Sequence, residues 1–432
     1  MKAGTFIERQ ITQIQQCGCT VPFGKIKRAL RIFLKLPLYV LAVSVVLVLR
    51  LIRPWMLVRW GILVSTRIGH FVANTEMYLC ERDAGINVPK QHHIDLFCMG
   101  GPICNQQLAI MWKRLLRVWP TWILSPIIRV NRLIPGGMIH EIGNNTHDDR
   151  DVHNLLDRFP PHLKFTAEEE ASGKTGLSAM GIPPGKQFVC LIVRDSAYLD
   201  AHRQNGWSYH NYRDSDIQNC VMAAEELANR GYFVIRMGAK VKEAMKTVHP
   251  RIIDYALTEM RSDFMDIYMG AKCVFCIAAN VGYGAVPSWG FRRPMYIANM
   301  LPIGILPSFS NKFIFTTKRH ILSGQHGELT LTEIFNQGVG FCITTSDYAS
   351  KGVELIENTP EEIRDVAIEM VERLTGVWQP YEEDEVLQRR FWEIFPTDAV
   401  DAYQGRPLHG EIRARFGAHF LRNNRDWLEI SI

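Results

Sequence analysis

The chain has 432 residues, 47% apolar and 22% charged, which excludes a disordered chain and suits two domains of ordinary size. The formal charge of +5 is modest, and much of the excess sits early, at Lys25, Lys27, Arg28, Arg31, Lys35, Arg50, Arg53 and Arg59. That placement points to anionic lipid rather than nucleic acid, and the chain carries no nucleic-acid-binding signature. The ten cysteines, Cys273 and Cys276 among them, complete no zinc site and read as free thiols in a reducing compartment.

Leu36–Leu49 carries no charge but is short for the roughly 17–25 apolar residues of a membrane span. Basic residues flank it, and Trp55 and Trp60 come next, as in an interfacial belt. Residues 1–54 are therefore expected to form a membrane-associating segment, monotopic or re-entrant first, a single span second, a buried core helix third. Trp55–Val64 reads as a strand, Ser65–His70 as a polar turn and Phe71–Arg82 as a helix, the opening of a βαβ unit. His92–Met99 is the next strand, and Gln106–Trp119 a helix stopped by Pro120. Segment 121–150 reads as short helices and loops. Thr166 and Glu169 form a capping box that opens a helix to Met180, and Gly181 with Pro183–Gly185 marks a linker.

The second half alternates short apolar strands with amphipathic helices. The strands are Phe188–Val193, Tyr232–Met237, Cys273–Ala278 and Pro294–Ile297, with Ile252–Tyr255 a short addition. The helices are Ser215–Arg230, one capped by Ser262, and Glu361–Thr375. This predicts an α/β fold with a parallel sheet covered on both faces. Such sheets bind ligands at the carboxyl ends of their strands. Just beyond those ends lie Arg194–Asp195–Ser196, then Arg236–Gly238, then the Asn280–Gly284 loop. Arginine matches phosphate oxygens with a planar fork, and Gly282 and Gly284 let backbone amides approach an anion. The set can form a diphosphate site. Equally, Arg194 and Asp195 could pair with each other or with neighbours; Arg236, a charge near the end of an apolar strand, needs a partner, which Asp263 or Asp266 could supply, and the glycines could serve only a turn.

Residues 188–198 (FVCLIVRDSAY), 213–217 (RDSDI), 231–238 (GYFVIRMG) and 261–290 (RSDFMDIYMGAKCVFCIAANVGYGAVPSWG) resemble a bacterial glycosyltransferase family of surface-polysaccharide gene clusters. The run is also similar to the donor half of protein O-fucosyltransferases and heptosyltransferases. The resemblance implies a GT-B-like fold, two Rossmann-like domains with parallel sheets facing a cleft, plus the N-terminal hydrophobic helix. It implies residues 55–182 as acceptor-side domain, 183–375 as donor domain and 376–432 as a helical tail, with Gln388–Phe395 or the extreme end crossing back. Asp266, Asn280, Gly282 and Gly284 would hold the donor's phosphates with Arg194, Asp195, Arg236 and Gly238. The turn here reads AANVGYG, where fucosyltransferase-like turns are serine-rich and heptosyltransferase-like turns carry histidine.

The implied activity is transfer from a nucleotide-diphosphate sugar to a glycan or lipid-linked acceptor, with no metal strictly required and no cofactor, on the cytoplasmic side of the inner membrane. His70, then Glu76, is the expected base, and Arg67 an acceptor contact or a surface charge; for His70 a helix-terminal structural role weighs slightly more. The rivals are a nucleotide-sugar epimerase or hydrolase on the same fold, and a non-catalytic polysaccharide-assembly protein at the membrane.

Overall fold

The computed structural model describes residues 20–143, 150–197, 208–279, 281–324, 327–402 and 405–429, with backbone alone for residues 20–35 and for Ser208. The chain divides into two compact units. One holds the described residues up to Ile62, with Pro89–Met99 and Leu116–Ile142; the other holds Leu63–Val88, Gly100–Leu115 and the chain from Gly143 onward.

In the first unit, helix α1 (Thr20–Ile52) precedes strand β1 (Leu57–Leu63). Among the described residues no helix is long and apolar enough to cross a membrane. Helix α2 (Ile68–Asp83), which belongs to the second unit, separates β1 from β2 (His93–Met99) along the chain, so the expected strand–helix–strand order is present. The N–H of Leu57 bonds to His92 O and that of Gly100 to Leu63 O, which makes β1 and β2 parallel. Parallel bridges add Glu141 beside Trp60 and Val118 beside Phe97. Helix α3, of the second unit, spans Gln106–Leu115, four residues short of the sequence expectation. Phe97 and Trp119 explain the early stop, because Phe97 donates to Arg117 O and accepts from Trp119 N–H, which draws that segment out as strand. Segment 121–150 is more ordered than expected at its start, where helix α4 covers Thr121–Leu133. Arg59 and Asp95, on neighbouring strands, form a buried two-pronged ion pair at 2.7 and 2.6 Å. Trp60, expected in an interfacial belt, is instead buried and stacks on His140 with ring centroids 5.3 Å apart.

The second unit is built on a seven-stranded sheet. Helix α5 (Ala167–Ala179) opens on the Thr166–Glu169 capping box, both reciprocal bonds being present. Strand β3 (Phe188–Val193), fully buried, is followed by a 3₁₀ turn at Ile217–Cys220 and helix α6 (Val221–Asn229). Asp216, not Ser215, caps that turn. Then come β4 (Phe233–Arg236), β5 (Ile252–Ile253), helix α7 (Asp263–Lys272) capped by Ser262, β6 (Cys276–Ala279) and β7 (Met295–Met300). The remainder is β8 (Phe313–Thr317), β9 (Arg319–Leu322), α8 (Leu331–Asn336), α9 (Thr345–Ser350), β10 (Val353–Ile356), α10 (Pro360–Thr375), α11 (Glu382–Ile394), β11 (Arg415–Phe416) and α12 (Ala418–Asn423).

The sheet order is β11-β8-β7-β6-β3-β4-β5, and every pairing is parallel. β9 and β10 form a separate antiparallel pair. The C-terminal tail is bound to the sheet's edge: β11 pairs with β8, and Phe391, Phe395, Phe416 and Trp427 form one aromatic cluster. Helix α5 meets α7 through glycine. A Cβ on Gly173 would lie 2.3 Å from the ring of Tyr268, so any side chain there would separate the two helices.

Candidate functional site

Strand order reverses between β3 and β6, with β4 and β5 to one side and β7, β8 and β11 to the other. The crevice outside the carboxyl ends of the strands at such a point is where open parallel sheets bind ligands. Val193 and Ala279, the last residues of β3 and β6, are register partners. Arg194 and the loop after β6 therefore leave the sheet side by side. Asn280, expected in that loop, lies outside the described residues.

From Val281 the chain enters a helical stretch, Gly282–Ala285 and then Val286–Gly290. The Tyr283 hydroxyl anchors it by donating to Asp266 O at 2.6 Å, and Ser288 Oγ donates to Gly284 O. A Cβ on Gly69 would stand 2.9 Å from Gly282 O and 3.1 Å from Gly282 Cα. The two backbones are in contact, which brings the Ser65–His70 turn against the loop after β6. Both belong to the second unit.

Two arginines stand at this edge. Arg194 Nε donates to Asp214 Oδ1 at 3.1 Å, and Ser215 N–H holds Arg194 O at 3.0 Å. Arg213, next to Asp214, has no carboxylate at ion-pair distance among the described residues, and its buried Nε has no hydrogen-bond partner. Its guanidinium lies 5.6 Å from the ring centroid of Tyr212. His210 is pulled down to about 4, first by burial and then by the charges of Arg213, Arg194 and Arg67. Arg194 is likewise lowered, by burial and then by Arg213, against the pull of Asp214. The guanidiniums of Arg213 and Arg194, from two segments, thus lie close enough to repel each other, and only Arg194 has a carboxylate partner among the described residues.

Sequence alone does not single out Arg213 and His210 as members of this cluster. Arg213 lies within the RDSDI stretch, but it closes a 3₁₀ segment (Ser208–Arg213) rather than a strand, so a search of strand ends passes over it. The segment is fixed by Tyr212 N–H donating to Thr345 Oγ1 at 3.2 Å.

The other expected residues are placed differently. Asp195 accepts from the N–H groups of Ala197 and Lys242 at 2.9 and 3.0 Å and so ties two loops together. Arg236 is 1% exposed. Its Nη1 donates to Glu243 O and to Asp254 Oδ1 at 3.1 and 3.0 Å, so its carboxylate partner is Asp254 rather than Asp263 or Asp266. Gly238 sits where a Cβ would meet Val241 Cγ1 at 2.8 Å. Asp266 accepts from Tyr255 Oη and Arg261 Nη2 at 3.1 and 2.8 Å, and burial pushes it up to about 6. His70 Nδ1 bonds Asn74 Oδ1 at 3.2 Å.

Glu76 is fully buried in an ion-pair network away from solvent. Arg292 Nη2 and His162 Nδ1 reach its Oε1 at 2.7 and 3.0 Å, and His162 Nε2 reaches Asp83 at 2.9 Å. Glu76, Cys80 and His162 have ligand atoms within 4.8 Å of one another, the spacing of a metal site. The chemistry does not suit one. The Cys80 thiol is pushed up to about 12 by burial and by Glu76, and the Arg292 cation already sits 3.3 Å from its sulfur.

The sequence matches no protein-family model, and it matches no curated protein. Solved structures with partly similar architecture include a glycosyl transferase family 9 protein from Veillonella parvula (12% identity, TM-score 0.41, covering 74% of this chain and 96% of that one). They also include E. coli ADP-heptose LPS heptosyltransferase II (12% identity, TM-score 0.38, covering 62% and 91%) and E. coli heptosyltransferase WaaC with ADP-2-deoxy-2-fluoro heptose (10% identity, TM-score 0.31, covering 60% and 92%). At this level of superposition they assign nothing to the chain.

The Gly69–Gly282 contact gives a direct test. Gly69→Ala places a methyl against backbone that has no room for it, an overpacking cost of about 1–3 kcal/mol. The variant is expected to unfold at lower temperature in a melting experiment. A wild-type melting temperature would mean that the turn and the loop are not held together.

Proposed function

We propose that this chain is a glycosyltransferase that takes a sugar from a nucleotide-diphosphate donor and passes it to a glycan or lipid-linked acceptor at the cytoplasmic face of a membrane. The observation that carries the reading is Arg213, with no carboxylate at ion-pair distance among the described residues, held next to the Arg194–Asp214 pair at the switch point of the sheet, where the Gly282 loop also leaves it. A diphosphate suits that surface by charge. As the glycosidic bond to the donor breaks, negative charge grows on the departing diphosphate, and fixed guanidiniums there stabilise it without reorganising. The acceptor hydroxyl must lose a proton as it attacks the anomeric carbon. His70 is the base we assign. With Nδ1–H donating to Asn74, its Nε2 carries the lone pair that can accept a proton.

The reading is tested by thermal shift and calorimetry against UDP, GDP, CDP and ADP and their sugars, and then by mass spectrometry of acceptor mixtures. A ligand that binds the native state alone raises the melting temperature. Failure of every nucleoside diphosphate to bind would remove the proposal. Binding accompanied by donor cleavage without any acceptor would favour a hydrolase.

A further inference from the structure

The first unit leaves one face of α1 bare. Leu36, Val40, Val43, Leu47 and Leu51 recur at the three- and four-residue spacing of a single helix face. All five are exposed, Val40 at 63% and Leu51 at 72%, and Trp55 just beyond the helix is 73% exposed. The opposite face is occupied: Ala42 and Val46 pack against Val130 of α4, with Tyr39, Ile127 and Ile134 around them. Arg50 completes that contact by donating to Asn131 Oδ1 at 2.7 Å and Pro135 O at 2.9 Å. The helix is therefore clamped on one side and apolar on the other over about four turns, about 25 Å at 1.5 Å per residue. A row of large apolar side chains of that length marks a surface that is covered in use.

Charge identifies the cover. From Arg9 to Thr75 the chain contains no aspartate or glutamate, while Lys25, Lys27, Arg28, Arg31 and Lys35 lie along the helix before the bare face and Arg53 lies just after it. A second copy docked on the same face would bring two all-positive segments together. An anionic lipid surface meets both features at once, headgroups against the basic turns and acyl chains against the leucines and valines.

We propose that α1 lies in the plane of an anionic bilayer, immersing the Leu36–Leu51 face while α4 holds it from the protein side. The proposal does not depend on the transfer reaction. It is tested by co-sedimentation of the full-length protein with phosphatidylcholine vesicles, with and without phosphatidylglycerol. The expected result is binding that needs the anionic lipid, weakens with salt, and falls at least about tenfold in Val40→Asp/Leu47→Asp, since each substitution puts a charge where acyl chains would lie. Both positions are exposed, so the melting temperature and nucleoside-diphosphate affinity of the double variant should match wild type. Vesicle binding by the double variant equal to wild type would overturn the proposal. So would a wild-type dimer that ignores vesicles and that the double substitution splits into monomers.

Discussion

Arg213→Ala is expected to weaken nucleoside-diphosphate binding by about 30- to 150-fold, the equivalent of losing about 2–3 kcal/mol of charge-assisted hydrogen bonding to a phosphate. The fold should tolerate the change. Arg213 spends its charge on no carboxylate among the described residues, and it repels Arg194. Truncation removes the packing over Tyr212 but also removes that repulsion, so the melting temperature should move little. A second readout separates an electrostatic role from a steric one. His210 is held near 4 by burial and then by Arg213, Arg194 and Arg67, so its titration, tracked by NMR, should shift upward in Arg213→Ala. Arg194→Ala should behave differently, because it also strands Asp214, whose carboxyl is already raised by burial. Unchanged affinity together with an unchanged His210 titration in Arg213→Ala would dissolve the proposed anion site.

The second large effect concerns stability. Arg292→Ala should cost about 3–5 kcal/mol in denaturant unfolding, because it leaves the buried Glu76 with His162 as its one remaining charge partner among the described residues. It also removes the donors to Leu156 O and Trp289 O. Glu76→Leu/Arg292→Leu should cost less than Arg292→Ala alone, since removing both charges leaves neither stranded. The same network sets a pH dependence. Burial pulls His162 down, but hydrogen bonds and charge from Glu76 and Asp83 outweigh it, and the net shift is upward. A histidine raised in the folded state contributes stability that is fully present below the unfolded value near 6.5 and is lost as pH rises through the folded value. Wild type should therefore lose stability on the alkaline side of about 6.5, and His162→Gln should show a shallower slope there. Parallel pH profiles for the two proteins would disprove the assignment.

These effects rest on contacts that the sequence discloses unevenly. Strand β3 is legible to the residue, since six consecutive apolar positions end at an arginine. Segment 313–322 is not read as two strands because Lys318 interrupts its apolar run. In the structure that lysine is buried, donates to Asp214 O and lies 3.6 Å from Glu357, partners that are remote in sequence. The strand expected from Cys273 begins at Cys276, because Cys273 N–H still closes the helix onto Met269 O. At the site, Arg194 and the glycine loop can be found by looking past strand ends. Arg213 cannot, because only folding sets it beside Arg194. Glu76 shows the converse. Its place six residues beyond His70 suggests a base, but its partners Arg292 and His162 come from distant segments and bury it.

Glu76 and Arg292 are 216 residues apart in the chain, and the Gly69–Gly282 abutment spans a comparable separation. Closing contacts of such range is slow, and it waits until most of the intervening polypeptide has organised. An isolated fragment beginning at residue 183 would carry every strand of the large sheet yet lack one wall of the anion crevice. The proposed nucleotide affinity should thus report completion of the whole chain, appearing late in refolding and vanishing from proteolytic pieces that still hold their secondary structure.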